Sequence, residues 1–397
     1  MPVDKRKESP HKRIAIAIEM DYAYPWHHGC YQGIMKYAEE RGGWKCIVDP
    51  FLVGTQSDRS GEPYDGVVGR IDQTSAEIAR LHDIPVVNHW ANSPAKDLPS
   101  VLGDDIKVGQ ISGEHLLSCG YRRFAFARIR NNQVGKKLID GLTQAVTAKG
   151  FKAPETWFYS ASFEEDREQL SQFRDELLDW LSSLKPPTGV AALDATAARY
   201  IAQGCYELGL EMPKDIGIIV QSSDYSSDTG SPTITSVERD HIQIGYEAAK
   251  LLDELMQGKA SHPLQRLLAP TRLIRRDSTD VFVCDDPLVK QAMRYIAEHF
   301  RENLKVEDVA DAVYTSKSTL RRRFEEVLGR QIKEEITRQR TEHVKVTLIE
   351  TDKSLAAIAN EFGYSSPTQL TRSFSNVVGM TPSEYRKSIP PSDGAHI

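Results

Sequence analysis

The sequence predicts two α/β lobes built on parallel sheets with helices on both faces, followed by an all-α domain holding two helix-turn-helix units. Three observations carry this prediction. Short, near-continuous apolar runs alternate with amphipathic stretches over the first 256 residues of the 397. One helical pattern of buried and outward residues occurs twice near the C-terminus. The charge divides unevenly between the two parts.

In chain order, residues 1–12 form a polar tail. A buried strand is expected at 14–19 (IAIAIE), a helix at 29–41, and strands at 44–48 and 65–71. A helix at 75–81 and a strand at 85–89 follow. A helix then enters after Asp104-Asp105, leading to a strand at 124–127, a helix at 136–149 and the strand TWFYS. Next come a long helix at 163–184, a strand at 189–193 and a helix at 194–208. A strand at 217–220 and a helix at 242–256 complete the series. Apolar strands interleaved with helices imply a parallel sheet covered on both faces, because every crossover helix must bury its stripe on the sheet. Ligands in such sheets bind beyond the carboxyl ends of the strands.

The stretch 306–325 (VEDVADAVYTSKSTLRRRFE) reads as two short helices around a tight turn. Val306, Val309, Ala310 and Val313 fall on one face of the first. Ser316 is an N-cap, and Leu320, Phe324 and Val327 are the buried face of the second helix. Lys317, Ser318, Arg321, Arg322 and Glu325 remain outward, as in a helix that fits the major groove. A run such as Arg321-Arg322-Arg323 is by itself more often a solvated surface. The pattern returns at 354–376, however, with Leu355, Ile358, Ala359 and Phe362 on the first helix and Gly363 in the turn. There Leu370, Phe374 and Val377 are expected inside, and Thr368, Gln369, Thr371 and Arg372 outside. Residues 331–350 between the repeats suit a connecting helix of about 30 Å. Two reading helices on such a spacer reach major-groove segments roughly 34 Å apart.

Forty per cent apolar and 27% charged residues describe a globular chain. The net charge of −6 argues against nucleic acid until the chain is divided. From Pro287 onward 17 Lys and Arg face 15 Asp and Glu, a net +2, which leaves −8 for the remainder. The five cysteines, Cys30, Cys46, Cys119, Cys205 and Cys284, form no CxxC or Cys/His cluster and are expected to be reduced thiols. A charged N-terminus and the lack of a long apolar run point to the cytoplasm. No nucleophile elbow, phosphate-binding loop, dinucleotide fingerprint or metal constellation is present, so neither an enzyme nor a metal or cofactor is expected.

The last hundred residues resemble the AraC-type DNA-binding domain, including its closing motif GMTPSEYR at 379–386. The resemblance implies seven helices, with base contacts from Ser318, Arg321 and Arg322 in the first unit and from Thr368, Gln369, Thr371 and Arg372 in the second; Lys317 lies on the same outward face. Tyr314 stands where the first turn of that family has Gly, and Ser375-Asn376 replaces a basic pair.

The preceding part resembles the periplasmic-binding-protein-like sensor of LacI-type repressors. The signature stretches are VLGDDIKVGQISGEHLLSCGYRRFAF, VAALDATAARYIAQGCYELGLEMPKDIGI, PTITSVERDHIQIGYEAAKLLDELMQG and LIRRDSTD. This implies a sugar effector, xylose or a related sugar, bound between the lobes. It also implies a homodimer on double-stranded operator DNA, with RNA polymerase as a further partner if the chain is an activator. By residue type and strand-end position, Glu19, Asp104 and Asp224 are candidates for sugar contact, and Tyr24 and Asp194 match places that touch the effector in that family. Ser222 falls at the family's next Asp place, so Asp224 serves only through a bulged loop, and Lys137 stands near the family's Arg. His27 and His28 read as ligand or surface residues rather than metal ligands. Lys136-Lys137 near the family's Arg, and Gln221-Ser222-Ser223 before Asp224, leave a different sugar open as the alternative; an enzyme acting on a bound sugar is disfavoured. The expected organisation is a tail (1–12), a sensing and dimerisation domain (13–278), a linker (279–288), a DNA-binding domain (289–390) and a tail (391–397).

Overall fold

The computed structural model describes residues 11–20, 25–55, 64–159, 167–221, 231–259, 265–280, 283 and 286–388. The chain divides into two units, one of residues 1–116 and 123–279, the other of 117–122 and 280–397.

The first unit holds two six-stranded sheets. One has the order β11-β5-β4-β3-β1-β2: Gln265–Leu268, Ser100–Gly103, Val86–Asn88, Gly66–Gly69, Lys12–Ala17 and Trp44–Val48. Every neighbouring pair in it runs parallel. The other has the order β12-β10-β9-β8-β6-β7: Arg272–Ile274, Thr235–Glu238, Ile216–Val220, Thr188–Ala192, Arg123–Ile129 and Glu155–Tyr159. It is parallel except for β12, which is antiparallel to β10. Strands β8 (TGVAA) and β9 (IGIIV) are buried at every position, as a parallel sheet covered on both faces requires.

Seven helices of this unit are described: α1 (Pro25–Arg41), α2 (Gln73–Leu81), α3 (Asp105–Ser118), α4 (Gln133–Thr147), α5 (Arg167–Ser183), α6 (Ala195–Glu207) and α7 (His241–Met256). The chain passes between the sheets three times: through α3, through α7, and directly from β11 to β12. Helices α1 and α7 meet backbone to backbone. A Cβ on Gly33 would lie 1.9 Å from Ile242 O, and one on Gly245 would lie 2.0 Å from Cys30 O. Strands β5, β10, β11 and β12 escape the apolar-run criterion because each has only three or four residues and carries Ser, Thr, Arg, Gln or Glu among them.

The second unit contains seven described helices: α8 (Pro287–His299), α9 (Val306–Ala312), α10 (Lys317–Leu328), α11 (Ile332–Glu350), α12 (Leu355–Glu361), α13 (Pro367–Val378) and α14 (Pro382–Ser388). Two cores form. Val309, Ala310, Leu320 and Phe324 pack with Val289, Met293 and Ile296 of α8; Ile358, Ala359, Leu370 and Phe374 pack with Val344 and Leu348 of α11. One expectation is corrected: Val377 is 48% exposed, and Val378, a full four residues beyond Phe374, packs on the core instead.

A buried carboxylate on α11 ties down the connection from α10. Glu335, fully buried, accepts from Arg330 Nη2 at 2.7 Å and from Arg338 Nη2 at 2.5 Å. Burial alone would raise its pKa; the Arg338 and Arg330 guanidinium groups hold it below the usual carboxylate range. Residues 117–122 join the same unit: Val283 N donates to Cys119 O at 2.7 Å, Arg122 Nη2 to Val327 O at 2.8 Å, and Arg330 Nη2 to Ser118 O at 3.2 Å.

The two helix-turn-helix turns, residues 313–316 and 362–366, each pass through one left-handed position, filled by different residues. Gly363 has φ +67°, and a Cβ there would lie 2.2 Å from Glu302 O, so no other residue fits. Tyr314, at the corresponding place, has φ +52° and a side chain 97% exposed to solvent. Left-handed backbone costs a non-glycine residue about 1–2 kcal/mol. Tyr314→Gly should therefore stabilise the protein by roughly 0.5–1 kcal/mol once glycine's extra freedom in the unfolded chain is subtracted. Denaturant titration against wild type measures this difference.

Candidate functional site

The outward face of α10 begins at a firm cap. Ser316 Oγ accepts from Thr319 N at 3.1 Å, and Leu320 and Phe324, both fully buried, fix the rotation of the helix. Lys317, Ser318, Arg321 and Arg322 are exposed as the spacing predicts. The three arginines of the run are held differently. Arg323 donates from Nη1 to Asp286 at 2.6 Å, and Asp286 also caps α8 through Leu288 N and Val289 N, so Arg323 serves the scaffold. Arg322 pairs with Glu326 at 2.9 Å. Arg321 has no partner among the described residues.

On α13, Ser366 Oγ accepts from Gln369 N at 3.2 Å, and Pro367 occupies the first turn. Thr368, Gln369 and Arg372 are exposed. Thr371 is half-buried, and its hydroxyl donates back to Pro367 O at 2.9 Å. Gln369 Oε1 is engaged by Ser365 N at 2.6 Å, which leaves its amide NH₂ to face outward contacts.

The first unit contains a cavity of about 620 Å³ lined from both sheets and from the crossovers. Asp194 ends β8 and caps α6: Oδ1 accepts from Ala197 N at 2.7 Å, while Oδ2 accepts from Tyr159 OH at 3.1 Å. The residue is thus a helix cap and a cavity residue together. Burial and the neighbouring Asp194 push the Tyr159 hydroxyl upward, so it stays a donor. Tyr24 and Asp224 lie outside the described residues. Glu19, Asp104 and Lys137 are not among the lining residues. Glu19 contributes its carbonyl, 2.9 Å from His27 Nδ1; the Asp104 carboxylate caps α3 by accepting from Lys107 N at 2.9 Å.

The neighbour Asp105 takes the place expected for Asp104. Its side chain is 2% exposed and lies 2.6 Å from Arg239 Nη2, whose guanidinium also donates to Gln221 Oε1 at 2.7 Å. Burial raises the Asp105 pKa, opposed by Arg239 and Lys137. Asp105 starts the first crossover helix and Arg239 precedes the second, so the pair sits where the chain passes between the sheets.

Several lining residues were missed by sequence reasoning: Asp105, Arg239, Arg70, His89, His241 and Trp90. Arg70 stacks over Trp90 at 4.6 Å and donates toward His27 Nε2 at 2.9 Å. Since Arg70 has only donors, His27 Nε2 accepts and Nδ1–H donates to Glu19 O, the neutral tautomer. Burial likewise lowers the His27 pKa. On the rim, Asn92 Oδ1, from the loop after β4, accepts from Gln133 N of α4 at 2.7 Å and ties one lobe to the other. Among the described residues no group of three or more His, Cys, Asp or Glu is placed to hold a metal, and no helix is long and apolar enough to cross a membrane.

His89 and His241 have pKa values lowered by burial to about 4 and about 3. The unfolded chain therefore binds protons at these sites that the folded chain refuses as pH falls below about 6.5. Stability should fall with pH from about 6.5 toward 4, and the fall should be shallower in a His89→Asn, His241→Asn double variant. Melting midpoints across a pH series check this.

Two family models match: a periplasmic binding protein-like domain over residues 114–279 and a helix-turn-helix domain over 309–388. The xylose operon regulatory protein of Escherichia coli K12 is 32% identical over 342 residues, spanning 81% of this chain and 83% of that protein. Its Haemophilus influenzae counterpart is 27% identical over 89% of this chain and 93% of its own length. The solved structure of a xylose-binding transcription activator aligns with a TM-score of 0.57 at 28% identity, covering 95% of this chain and 98% of that one. A LacI family regulator from Enterococcus faecium with bound ribose shares the fold of the first unit, with a TM-score of 0.54 at 21% identity over 69% of this chain.

Proposed function

Given that the chain belongs to the family of xylose operon regulatory proteins, we propose that α10 and α13 read operator DNA and that the first unit binds xylose or a closely related sugar. The chain is a sugar-responsive DNA-binding transcription regulator and not an enzyme. The observation that carries the assignment of the reading helices is their doubling: Ser316 and Ser366 cap them alike, and each turns an arginine outward two residues before a buried phenylalanine. A DNA partner supports a cytoplasmic location.

In this reading the Asp194 carboxylate, oriented by Ala197 N and Tyr159 OH, accepts from sugar hydroxyls. Trp26 and Trp90 offer ring faces to the apolar side of the sugar. Lys317, Ser318, Arg321, Arg322, Thr368, Gln369, Thr371 and Arg372 contact DNA. Tyr24 and Asp224 are proposed as further effector contacts from their positions in the chain. Two copies pair through their first units and set four reading helices on neighbouring half-sites; as an activator the dimer would then engage RNA polymerase. The effector favours the closed cleft by its differential affinity for the two states, and this changes the spacing of the reading helices.

Arg321→Ala or Arg322→Ala should cost about 1–3 kcal/mol of operator binding and relax base preference at one position. A variant that binds selected and random duplexes as wild type does would remove that residue from the reading set. Asp194→Asn keeps the helix cap, since Asn caps as well as Asp, and should abolish the melting shift given by xylose. At a hundred times the dissociation constant that shift corresponds to about 2.7 kcal/mol in wild type. Unliganded DNA binding should stay at the wild-type value, and unliganded stability should fall by no more than the about 0.5–1.5 kcal/mol of the Tyr159 hydrogen bond; loss of DNA binding or a larger loss of stability would assign Asp194 to the scaffold.

A further inference from the structure

The two reading helices differ in how their outward cations are held. Arg322 Nη1 donates to both carboxylate oxygens of Glu326, one turn along α10, at 2.9 and 3.1 Å. Both side chains are more than half exposed, at 62% and 55%. Lys317, at the start of the same helix, is ion-paired to Glu307 of α9. Helix α13 is built otherwise. Its sequence, PTQLTRSFSNVV, contains no Asp or Glu, and Arg372 has no acidic partner among the described residues.

We propose that Glu326, seconded by Glu307, is a specificity determinant of the first helix-turn-helix unit; the inference rests on the proposal that α10 is a reading helix. At an arbitrary site the DNA offers Arg322 a phosphate. To take it, the guanidinium exchanges one anion for another and leaves Glu326 facing a polyanion without a counter-ion, so little is gained. At a G·C pair the exchange is different. Guanine O6 and N7 present the two acceptors that fit an arginine fork, and the cytosine N4 amino group is a donor to a carboxylate. Arg322 and Glu326 then each find a partner in the groove. The pair thus penalises phosphate-only binding and spares a G·C-containing site. Helix α13, with no carboxylate, supplies contact without that penalty. The division of labour follows from the placement of acids, which a count of cations alone would miss.

The test uses the full-length chain. A duplex is first selected by wild type from a randomised pool; its affinity is then compared with that of an alternating dA–dT duplex across a salt series for wild type, Glu326→Gln and Glu307→Gln. Glu326→Gln should bind the alternating duplex about two- to fivefold tighter, the scale of one exposed ion pair. Its salt slope there should steepen by about 0.9, one added phosphate contact. Binding to the selected duplex should not tighten, so the specificity ratio falls. Glu307→Gln should move in the same direction by a smaller factor. An unchanged or increased ratio in Glu326→Gln overturns the inference. Arg321→Ala and Arg322→Ala run alongside: if both bind the selected duplex as wild type does, α10 is not the reading helix and the underlying proposal fails instead. Because Glu326 is exposed, melting of the variant should match wild type and exclude misfolding as the cause.

Discussion

The first unit depends on the buried ion pair between Asp105 and Arg239. The two residues stand at two of the three places where the chain passes from one sheet to the other, so the pair ties those crossovers together in the wall of the cavity. Charges this deep are costly to bury, and removing one partner from such a pair commonly costs about 3–5 kcal/mol. Asp105 Oδ2 and Arg239 Nε remain without a protein hydrogen bond. Pairing and incomplete satisfaction together describe a joint that is held but not saturated. Asn92 capping α4 on the opposite rim supplies a lighter, neutral tie between the same lobes.

In the second unit a comparable burden falls on arginines used as scaffold. Arg340 donates to Phe300 O at 2.7 Å and Glu302 O at 2.5 Å, closing the end of α8, and stacks over Tyr364 at 5.4 Å. Arg330 and Arg338 surround Glu335, and Arg323 fastens α10 to the cap of α8. Several arginines of this unit are spent on holding helices, and the outward cations of α10 and α13 are few.

How far the sequence reveals this depends on which periodicity a residue obeys. The outward residues of α10 and α13 were legible because Leu320 and Phe324, and Leu370 and Phe374, are apolar neighbours at the spacing of one helix face. Asp194 was legible as a polar residue closing an apolar strand. The wall of the cavity was not, because Arg70, His89 and Arg239 come from three separate strand ends and meet only after the sheet has formed. The exchange of Asp104 for Asp105 shows the limit within a single turn. Both acids sit at a helix start, and the backbone decides which one caps and which one turns inward. The short strands β10 to β12 were hidden for a related reason: their pairing partners, rather than their own apolar content, define them.

The unequal turns of the doubled unit bear on how such a protein can diversify. Gly363 is enclosed by the backbone at Arg301 and Glu302, so that turn is closed to substitution. Tyr314 faces open solvent, and any residue that tolerates left-handed backbone fits there. A change of side chain at the turn is then tolerated in the first half and refused in the second. One half of the doubled unit is closed at its turn and the other open, a bias imposed by two carbonyl oxygens.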